Sequence, residues 1–234
     1  MKTLVVVPVK HFEESKRRLS IILSTEERIV LAQTMLLDVL NAINRSKYDF
    51  SIALFAQDNQ QVHQILRGKQ YNKKLYIFHD TTSNLNETIY TASQWAKRNN
   101  FSAILVVPID VPLIKSIDID RIIERSLYIN KGIVIASSYN GGTNLLLLKP
   151  PTVMPTFYGS NSFLKHITYA DTHGLEVVEY ISDRVRLDID TPLDLLVFFE
   201  QGISTATHNY LQTIGIHNRF SIIVPSFSLS SSNK

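Results

Sequence analysis

Residues 5–20 read VVVPVKHFEESKRRLS, an apolar run that changes abruptly into a basic segment. The uninterrupted valines at its start are typical of a strand buried on both faces. Four basic residues follow with no glycine among them: Lys10, Lys16, Arg17 and Arg18. Ligands of open α/β sheets bind beyond the carboxyl ends of the strands, so this segment is a candidate anion site. The alternative is a solvated basic loop that leads into a helix.

Six further apolar runs follow this first predicted strand, which we place at residues 4–9. They lie at 51–56, 75–79, 103–107, 132–137, 143–148 and 175–181, and each is predicted to be a central strand. Helical periodicity occupies the intervals, at 24–45, 58–67, 85–98, 118–129, 162–170 and 192–200. This alternation predicts the α/β class, with a single, mostly parallel, twisted sheet flanked by helices.

The strand and helix pattern ends near Gly202. We therefore predict one domain at residues 1–201 and a C-terminal extension at 202–234. The extension is rich in Ser, Thr and Asn, and we expect about eight residues at its end to be disordered. Residues 219–227, RFSIIVPSF, are predicted to form an extra strand that contributes to oligomer contacts.

Composition limits the possible classes of function. The net charge is +3 and the sequence pI about 9.0, which is less basic than expected of a nucleic-acid binder. The chain has no cysteine, which excludes disulfides, thiol nucleophiles and cysteine-ligated zinc. Its N-terminal apolar run is shorter than the roughly 7–15 residues of a signal peptide core, and no run approaches the roughly 20 of a membrane span. We expect a cytoplasmic protein with small-molecule partners, no nucleic acid and no membrane.

A carboxylate follows the predicted strand at 103–107. Asp110 lies between Pro108 and Pro112, which stiffen the turn and fix the direction of the side chain. A carboxylate in this place is a natural ligand for Mg²⁺, and its alternative role is to cap the helix beyond. Asp118 and Asp120 open that helix and are predicted to act as caps.

A second pair of carboxylates lies in the segment RLDIDTPLDL. Asp188 and Asp190 are two residues apart, so in extended backbone both side chains point the same way, as a metal site requires. The alternative role is helix capping, with Asp190 or Thr191 as the cap and Pro192 at the first helical position. Both roles are compatible if Asp188 binds the metal.

Two glycine-containing segments form a further candidate site. GGTN at 141–144 provides a turn and the hydroxyl of Thr143, and FYGSNSF at 157–163 places glycine and serine at a helix start. Free backbone amides at such a start bind phosphate or carboxylate. The alternative is an ordinary serine cap. His166 is predicted to lie on this helix near the anion site.

Six of these stretches occur in the order found in a known family. They are PVKHFEESKRRLS, EERIVLAQTMLLDVL, VVPIDVPL, GGTNLLLLKP, YGSNSFLKH and LDIDTPLDL, and together they span residues 8 to about 195. Each stretch alone is weak, but the ordered set is specific. It resembles the CofC-type guanylyltransferases of coenzyme F420 biosynthesis, which belong to the wider group of MobA-like nucleotidyltransferases.

The resemblance implies a glycosyltransferase-A fold, a homodimer, and transfer of GMP from GTP to 2-phospho-L-lactate, or to phosphoenolpyruvate in some relatives, with release of pyrophosphate. Mg²⁺ is the implied cofactor, with Asp110, Asp188 and Asp190 as its ligands. The implied catalytic residues are Lys10, Lys16, Arg18 and Asp110. The implied nucleotide contacts are Lys16, Arg18, Leu85 and Asn86. The implied contacts to the phosphorylated acceptor are Thr143, Gly159 and Ser162.

The sequence departs from the family pattern in two places. Asn84 stands where relatives commonly have glycine, and we expect it to adopt the left-handed backbone that Asn tolerates. The segment after about residue 202 is expected to exceed the family's length. Two other functions remain open: a nucleotidyltransferase for another acceptor, such as a sugar phosphate or a molybdopterin-type cofactor, and a non-catalytic nucleotide-binding subunit.

Overall fold

The computed structural model describes residues 1–82, 84–201 and 204–222. The strands in these residues are β1 Thr3–Val9, β2 Ser51–Ala56, β3 Lys74–His79, β4 Ala103–Val106, β5 Gly132–Ser137, β6 Thr143–Lys149 and β7 Glu176–Glu179. These seven strands form one sheet in the order β3-β2-β1-β4-β6-β5-β7. All seven predicted strands are thereby confirmed, and each observed strand end lies within two residues of the predicted one.

The described residues form eight α-helices, of which the first five lie between strands and the last three follow β7. Their bounds are α1 Thr25–Asn44, α2 Asn59–Leu66, α3 Leu85–Arg98, α4 Ser116–Ser126, α5 Ser162–Thr172, α6 Asp183–Arg186, α7 Pro192–Gln201 and α8 Ala206–Thr213. Short 3-10 helices lie at Phe12–Glu14, Arg17–Ile21 and Ile216–Ile222. The sequence did not predict α6, which is a single turn, or α8, which lies in the polar extension.

The pairing of the strands confirms the mostly parallel sheet. β1 pairs in parallel with β2 and with β4, whereas β6 runs antiparallel between β4 and β5. β3 and β7 lie at the two edges and are only partly buried, so the prediction that every strand is central is wrong for these two.

Two hydrophobic cores lie on opposite faces of the sheet. Alternate residues of β1 divide between them, because side chains of a strand point alternately to its two faces. Val5, Val7 and Val9 pack with α1 and α4, whereas Leu4 and Val6 pack with α3 and α5. The apolar run at residues 4–9 therefore reflects burial on both faces.

Local signals fix several helix starts. Ser24 and Glu27 form the capping box expected at the start of α1, with mutual bonds of 2.9 and 3.2 Å. Asp118 accepts a hydrogen bond from the amide of Lys115 at the start of α4, which confirms its predicted role as a cap. Asp120 instead accepts from the amide of Lys47, beyond the end of α1, so its predicted capping role is wrong.

Residues 204–222 pack against α1. The carboxylate of Asp38 accepts hydrogen bonds from the amides of Ala206 and Thr207 at the start of α8, both at 2.8 Å. Leu211, Ile216 and Phe220 lie in the core shared with α1. Residues 219–222 belong to a 3-10 helix, so the strand predicted at 219–227 is wrong for these four residues. The rest of that predicted strand, and the predicted disordered end of the chain, lie outside the described residues. The domain boundary at 201 and an oligomeric role for the extension stay predictions.

In the described part of the chain, no helix combines the length and apolar character needed to cross a membrane.

Candidate active site

The carboxylates predicted at separate places in the sequence meet at the end of β4. The amide of Ile189 donates to the carbonyl of Asp110 at 2.9 Å, which holds the 188–190 segment against the loop after β4. Ile189 is fully buried, while the flanking Asp188 and Asp190 are only partly buried. Thr191 caps α7 through its hydroxyl, which accepts from the amide of Asp194 at 3.3 Å. This cap leaves the side chain of Asp190 available to the site.

Lys16 joins two of these carboxylates. Its ammonium lies 3.1 Å from Asp110 Oδ2 and 2.8 Å from Asp190 Oδ1, and its side chain is only 7% exposed. Lys16 has a φ of 54°, a left-handed conformation that costs a residue with a side chain about 1–2 kcal/mol. Arg28 supports this turn by donating to the carbonyl of Ser15 at 3.0 Å. The alternative of a solvated basic loop is therefore wrong for Lys16, because its side chain is buried against the carboxylates.

The charges of the site perturb one another. Burial and the charge of Asp110 raise the pKa of Asp188 to about 6. Burial also disfavours the charged form of Asp190, but the ion pair with Lys16 and the charge of Arg18 outweigh it and lower the pKa of Asp190. Burial would lower the pKa of Lys16, yet the two carboxylates raise it. The Lys16 ammonium thus pairs with Asp110 and Asp190, whereas Asp188 has no such partner in these ion pairs.

The carboxylates suit a hard cation, although they do not form a finished metal centre. Among the described residues, no three His, Asp or Glu side chains converge closely enough to hold a metal ion. Two of the carboxylates converge on Lys16 instead. A donor set of carboxylate oxygens, of which Lys16 pairs with only two, fits a hard cation such as Mg²⁺.

The other basic residues of the first loop lie at the surface. Lys10, Arg17 and Arg18 are exposed, and Arg17 pairs with Glu14 at 3.4 Å. Lys10 and Leu85 line a cavity of only about 10 Å³ at the ends of the first three strands, together with Gln57, Asp80, Thr82 and Thr88. No sequence pattern predicted these polar lining residues. Asp80 is nearly buried and accepts from Thr82 and Thr88.

Asn86, which the resemblance implies contacts the nucleotide, is hydrogen-bonded to Tyr158 in this structure. Its Oδ1 accepts from the amide of Tyr158 at 2.8 Å and its Nδ2 donates to the carbonyl of the same residue at 3.1 Å. Both ends of the side chain are thus committed to the loop that precedes α5. Asn84, for which we expected a left-handed backbone, has a φ of −147° and caps α3 by accepting from the amide of Glu87 at 3.1 Å.

The three residues expected to hold the acceptor lie together. Ser162 Oγ donates to Thr143 Oγ1 at 3.2 Å, and both side chains are buried. Gly159 has a φ of 127°, which residues with a side chain rarely adopt. The residue that caps α5 is Asn161, without a side-chain bond, so the alternative of an ordinary serine cap is wrong for Ser162.

Asn144 connects the acceptor residues to the carboxylates. It follows Thr143 directly, and its Nδ2 lies 2.7 Å from the carbonyl of Val185 and 3.4 Å from Asp188 Oδ1. β6 is antiparallel to β4, so its first residues lie beside the carboxyl end of β4. The turn before β6 is thereby brought to the same edge of the sheet as Lys16 and Asp110.

The fold is shared with transferases of known structure. The structure resembles that of a protein from Desulfovibrio desulfuricans G20 described as a nucleotide-diphospho-sugar transferase, with a TM-score of 0.75 and 15% identity over 94% of this chain and 99% of that one. It also resembles a cytidylyltransferase from Leptospira borgpetersenii, with a TM-score of 0.57 and 16% identity over 98% and 99% of the two chains.

Sequence comparison identifies the family within that class. The chain belongs to the family described as "Guanylyl transferase CofC like", whose model matches residues 3–226. It is 34% identical to the 2-phospho-L-lactate guanylyltransferase of Methanocaldococcus fervens, over 91% of each chain. It is 31% identical to the enzyme of that name from Methanothermobacter thermautotrophicus, over 92% of each. Because the match reaches residue 226, the expectation that the segment after 202 exceeds the family's length is wrong for most of that segment.

Proposed function

We propose that this protein transfers GMP from GTP to 2-phospho-L-lactate or phosphoenolpyruvate and releases pyrophosphate, as a step of coenzyme F420 biosynthesis. The observation that carries the proposal is the buried Lys16 ammonium between Asp110 and Asp190, at the edge of the sheet where Thr143 and Ser162 also lie. Family membership and the names of the relatives support the choice of nucleotide and acceptor.

The reaction is a direct in-line displacement. A phosphate oxygen of the acceptor attacks the α-phosphorus of GTP, a new P–O bond forms, and the bond from the α-phosphorus to the bridging oxygen of pyrophosphate breaks. The acceptor phosphate is ionised near pH 7, so no general base is required. Positioning and charge neutralisation therefore provide most of the catalysis.

The basic residues of the first loop serve the leaving group. Lys16 is fixed by two carboxylates, so its charge needs little reorganisation when negative charge develops on pyrophosphate. Arg18 and Lys10 are exposed and free to reach the outer phosphates of GTP. Leu85 lies beside Lys10 at the ends of the first three strands, so it is close to the basic loop that would bind the phosphates of GTP.

Asp110, Asp188 and Asp190 would hold Mg²⁺, because they supply three carboxyl groups, of which Lys16 pairs with only two. Bound there, the ion would neutralise phosphate charge and orient the reacting oxygens.

The acceptor would bind through donors that recognise anions. Thr143 would donate its hydroxyl hydrogen, Ser162 would hold that hydroxyl in place by donating to Thr143 Oγ1, and the start of α5 would add a favourable dipole. Gly159 lets the loop adopt a conformation closed to residues with a side chain. We further propose that the enzyme is a cytoplasmic homodimer without nucleic-acid or membrane partners, as the composition and the family resemblance suggest.

The proposal is tested by measuring pyrophosphate release with Mg²⁺, each of the four nucleoside triphosphates in turn, and 2-phospho-L-lactate, phosphoenolpyruvate or a sugar phosphate. Release with GTP and one of the first two acceptors is the expected result. Binding of GTP without release for any acceptor would exclude the proposal.

The role of Lys16 is tested with a matched pair of variants. Lys16→Met is expected to lower kcat about 10²–10³-fold, the usual effect of losing a fixed group that stabilises developing charge. Arg17→Met removes a neighbouring positive charge whose side chain is 72% exposed, and should change kcat less than about threefold. Equal losses in the two variants would show that only the net charge of the loop matters.

A further inference from the structure

The ring of His166 connects a backbone amide to the acceptor site. His166 lies on α5 and is fully buried. Its Nε2 lies 2.8 Å from the amide nitrogen of Phe157, and its Nδ1 lies 3.0 Å from Thr143 Oγ1. A backbone N–H only donates, so Nε2 must accept and carries no hydrogen.

This contact fixes the tautomer of the imidazole. Burial lowers the pKa of His166 to about 4, so the ring is neutral at pH 7. A neutral imidazole carries one hydrogen, which must then lie on Nδ1. Nδ1 therefore donates to Thr143 Oγ1.

Thr143 thereby receives two hydrogen bonds. The second comes from Ser162 Oγ at 3.2 Å. Within residues 1–82, 84–201 and 204–222, these are the two contacts recorded for Thr143 Oγ1, and in both it accepts. A hydroxyl has two acceptor positions and one hydrogen, so only its hydrogen remains for a further partner. That partner must be an acceptor, and an oxygen of an ionised phosphate or carboxylate gives the strongest bond.

We propose that His166 is a positioning residue that acts through Thr143, by making its hydroxyl an obligatory donor toward the anionic acceptor. The inference rests on the proposed function, in which Thr143 contacts that acceptor. In the opposite tautomer, Nε2–H would point at the N–H of Phe157, which is unfavourable. Nδ1 would then accept the hydroxyl hydrogen of Thr143, and that hydrogen would no longer be available to the substrate. Phe157 lies two residues before Gly159, so the conformation of this loop and the direction of the hydroxyl are coupled.

The tautomer itself is directly observable. In long-range ¹H–¹⁵N correlation spectra of the full-length protein with labelled histidine, His166 should show a protonated Nδ1 and an unprotonated Nε2, with no change between about pH 6 and pH 8. Its signals are assigned by their loss in His166→Asn. A protonated Nε2 would overturn the proposal whether or not the enzyme has the proposed activity.

A double-mutant cycle then separates positioning from general support of the fold. His166→Leu and Thr143→Val are each expected to weaken binding of phosphoenolpyruvate or 2-phospho-L-lactate about tenfold by calorimetry, with GTP affinity unchanged. The double variant should be no weaker than Thr143→Val, because the histidine acts through the hydroxyl. Additive losses would overturn the proposal.

Conservative and control variants complete the test. His166→Asn keeps an amide donor near the Nδ1 position and should recover part of the acceptor affinity, which a merely space-filling role would not explain. His173→Leu removes the exposed histidine at the end of the same helix and should leave acceptor affinity unchanged.

If His166→Leu does not fold, the asparagine variant and the spectra decide. If wild type binds neither acceptor, inorganic phosphate is the probe for the same cycle, and the absence of turnover counts against the proposed function alone.

Discussion

Replacement of Asp118 by Asn is expected to destabilise the support beneath the carboxylate site. The side chain of Asp118 is fully buried. It accepts hydrogen bonds of 2.7–3.0 Å from four residues: Lys115, Tyr180, Ser182 and Arg184. These contacts attach α4 to the segment that leads through α6 to Asp188. Sequence alone showed only the helix cap, because the other partners lie more than 60 residues away.

The magnitude follows from these contacts. A hydrogen bond to a charged group contributes about 1.5–3 kcal/mol, and leaving a buried charge unpaired costs about 3–5 kcal/mol. The side chain of Arg184 is 41% exposed, so water compensates part of its loss and the ion pair must be discounted. We therefore expect Asp118→Asn to lower the free energy of unfolding by about 3 kcal/mol. For a chain of this length that corresponds to a fall in Tm of about 6–12 °C.

The effect should depend on pH. Burial alone would raise the pKa of Asp118, but hydrogen bonds from Arg184 and Tyr180 outweigh it and lower the pKa. A carboxyl whose pKa is lowered by folding stabilises the protein above its unfolded pKa of about 3.9, and this contribution is lost as the pH falls through the folded value. The difference between wild type and Asp118→Asn should therefore be largest near pH 7 and shrink on acidification.

Urea unfolding of both proteins at neutral and acidic pH measures this difference. Asp183→Asn is the matched control, since it removes an exposed carboxylate from the adjacent α6 and should change stability by less than about 0.5 kcal/mol. The reasoning is refuted if both variants lose the same stability, or if the effect of Asp118→Asn does not decline with acidity.

Two further predictions concern the loop before α5. Asn86→Asp sets a carboxylate oxygen against the carbonyl of Tyr158. It should therefore raise KM for the acceptor about tenfold while KM for GTP changes little. A larger rise in KM for GTP would indicate that Asn86 contacts the nucleotide directly. Gly159→Ala forces alanine to a φ of 127° and should cost about 1–3 kcal/mol in urea unfolding and weaken acceptor binding. Gly68→Ala, at a φ of 74° with equally open space, should cost stability without changing acceptor binding, and equal binding losses in both would contradict this role of Gly159.

The sheet was predictable because its strands are short, apolar and uninterrupted. The edge position of β3 was not predictable, because its sequence is also a short, mostly apolar and uninterrupted run. Tyr76 and Phe78 of β3 pack against Trp95 of α3 with ring centroids 5.0 Å apart, so aromatic side chains cover a face that a central strand would also bury. Local composition reports burial, whereas edge position depends on which strands pair.

The site was predictable in its residue types but not in its pairings. Spacing identified the Asp188–Asp190 pair and the cap at Thr191. Lys16, however, contacts Asp110 and Asp190 across 94 and 174 residues of sequence, and no local pattern encodes such contacts. The role of Asn86 was missed for the same reason, because its partner Tyr158 lies 72 residues away.

The orientation of one strand explains how the two sets of residues that we propose bind the substrates come to the same edge of the sheet. In an all-parallel sheet the residues before β6 would lie at the amino edge, far from Lys16. β6 is antiparallel to β4, with Val106 opposite Leu146, so Thr143 and Asn144 extend beyond the end of β4. Asn144 then reaches the carboxylates and Thr143 reaches α5 from adjacent positions, on opposite faces of one strand. The reversal of β6 thus places Thr143, which we propose binds the acceptor, at the same edge as Lys16, which we propose binds the nucleotide. An in-line transfer between two phosphates requires this proximity.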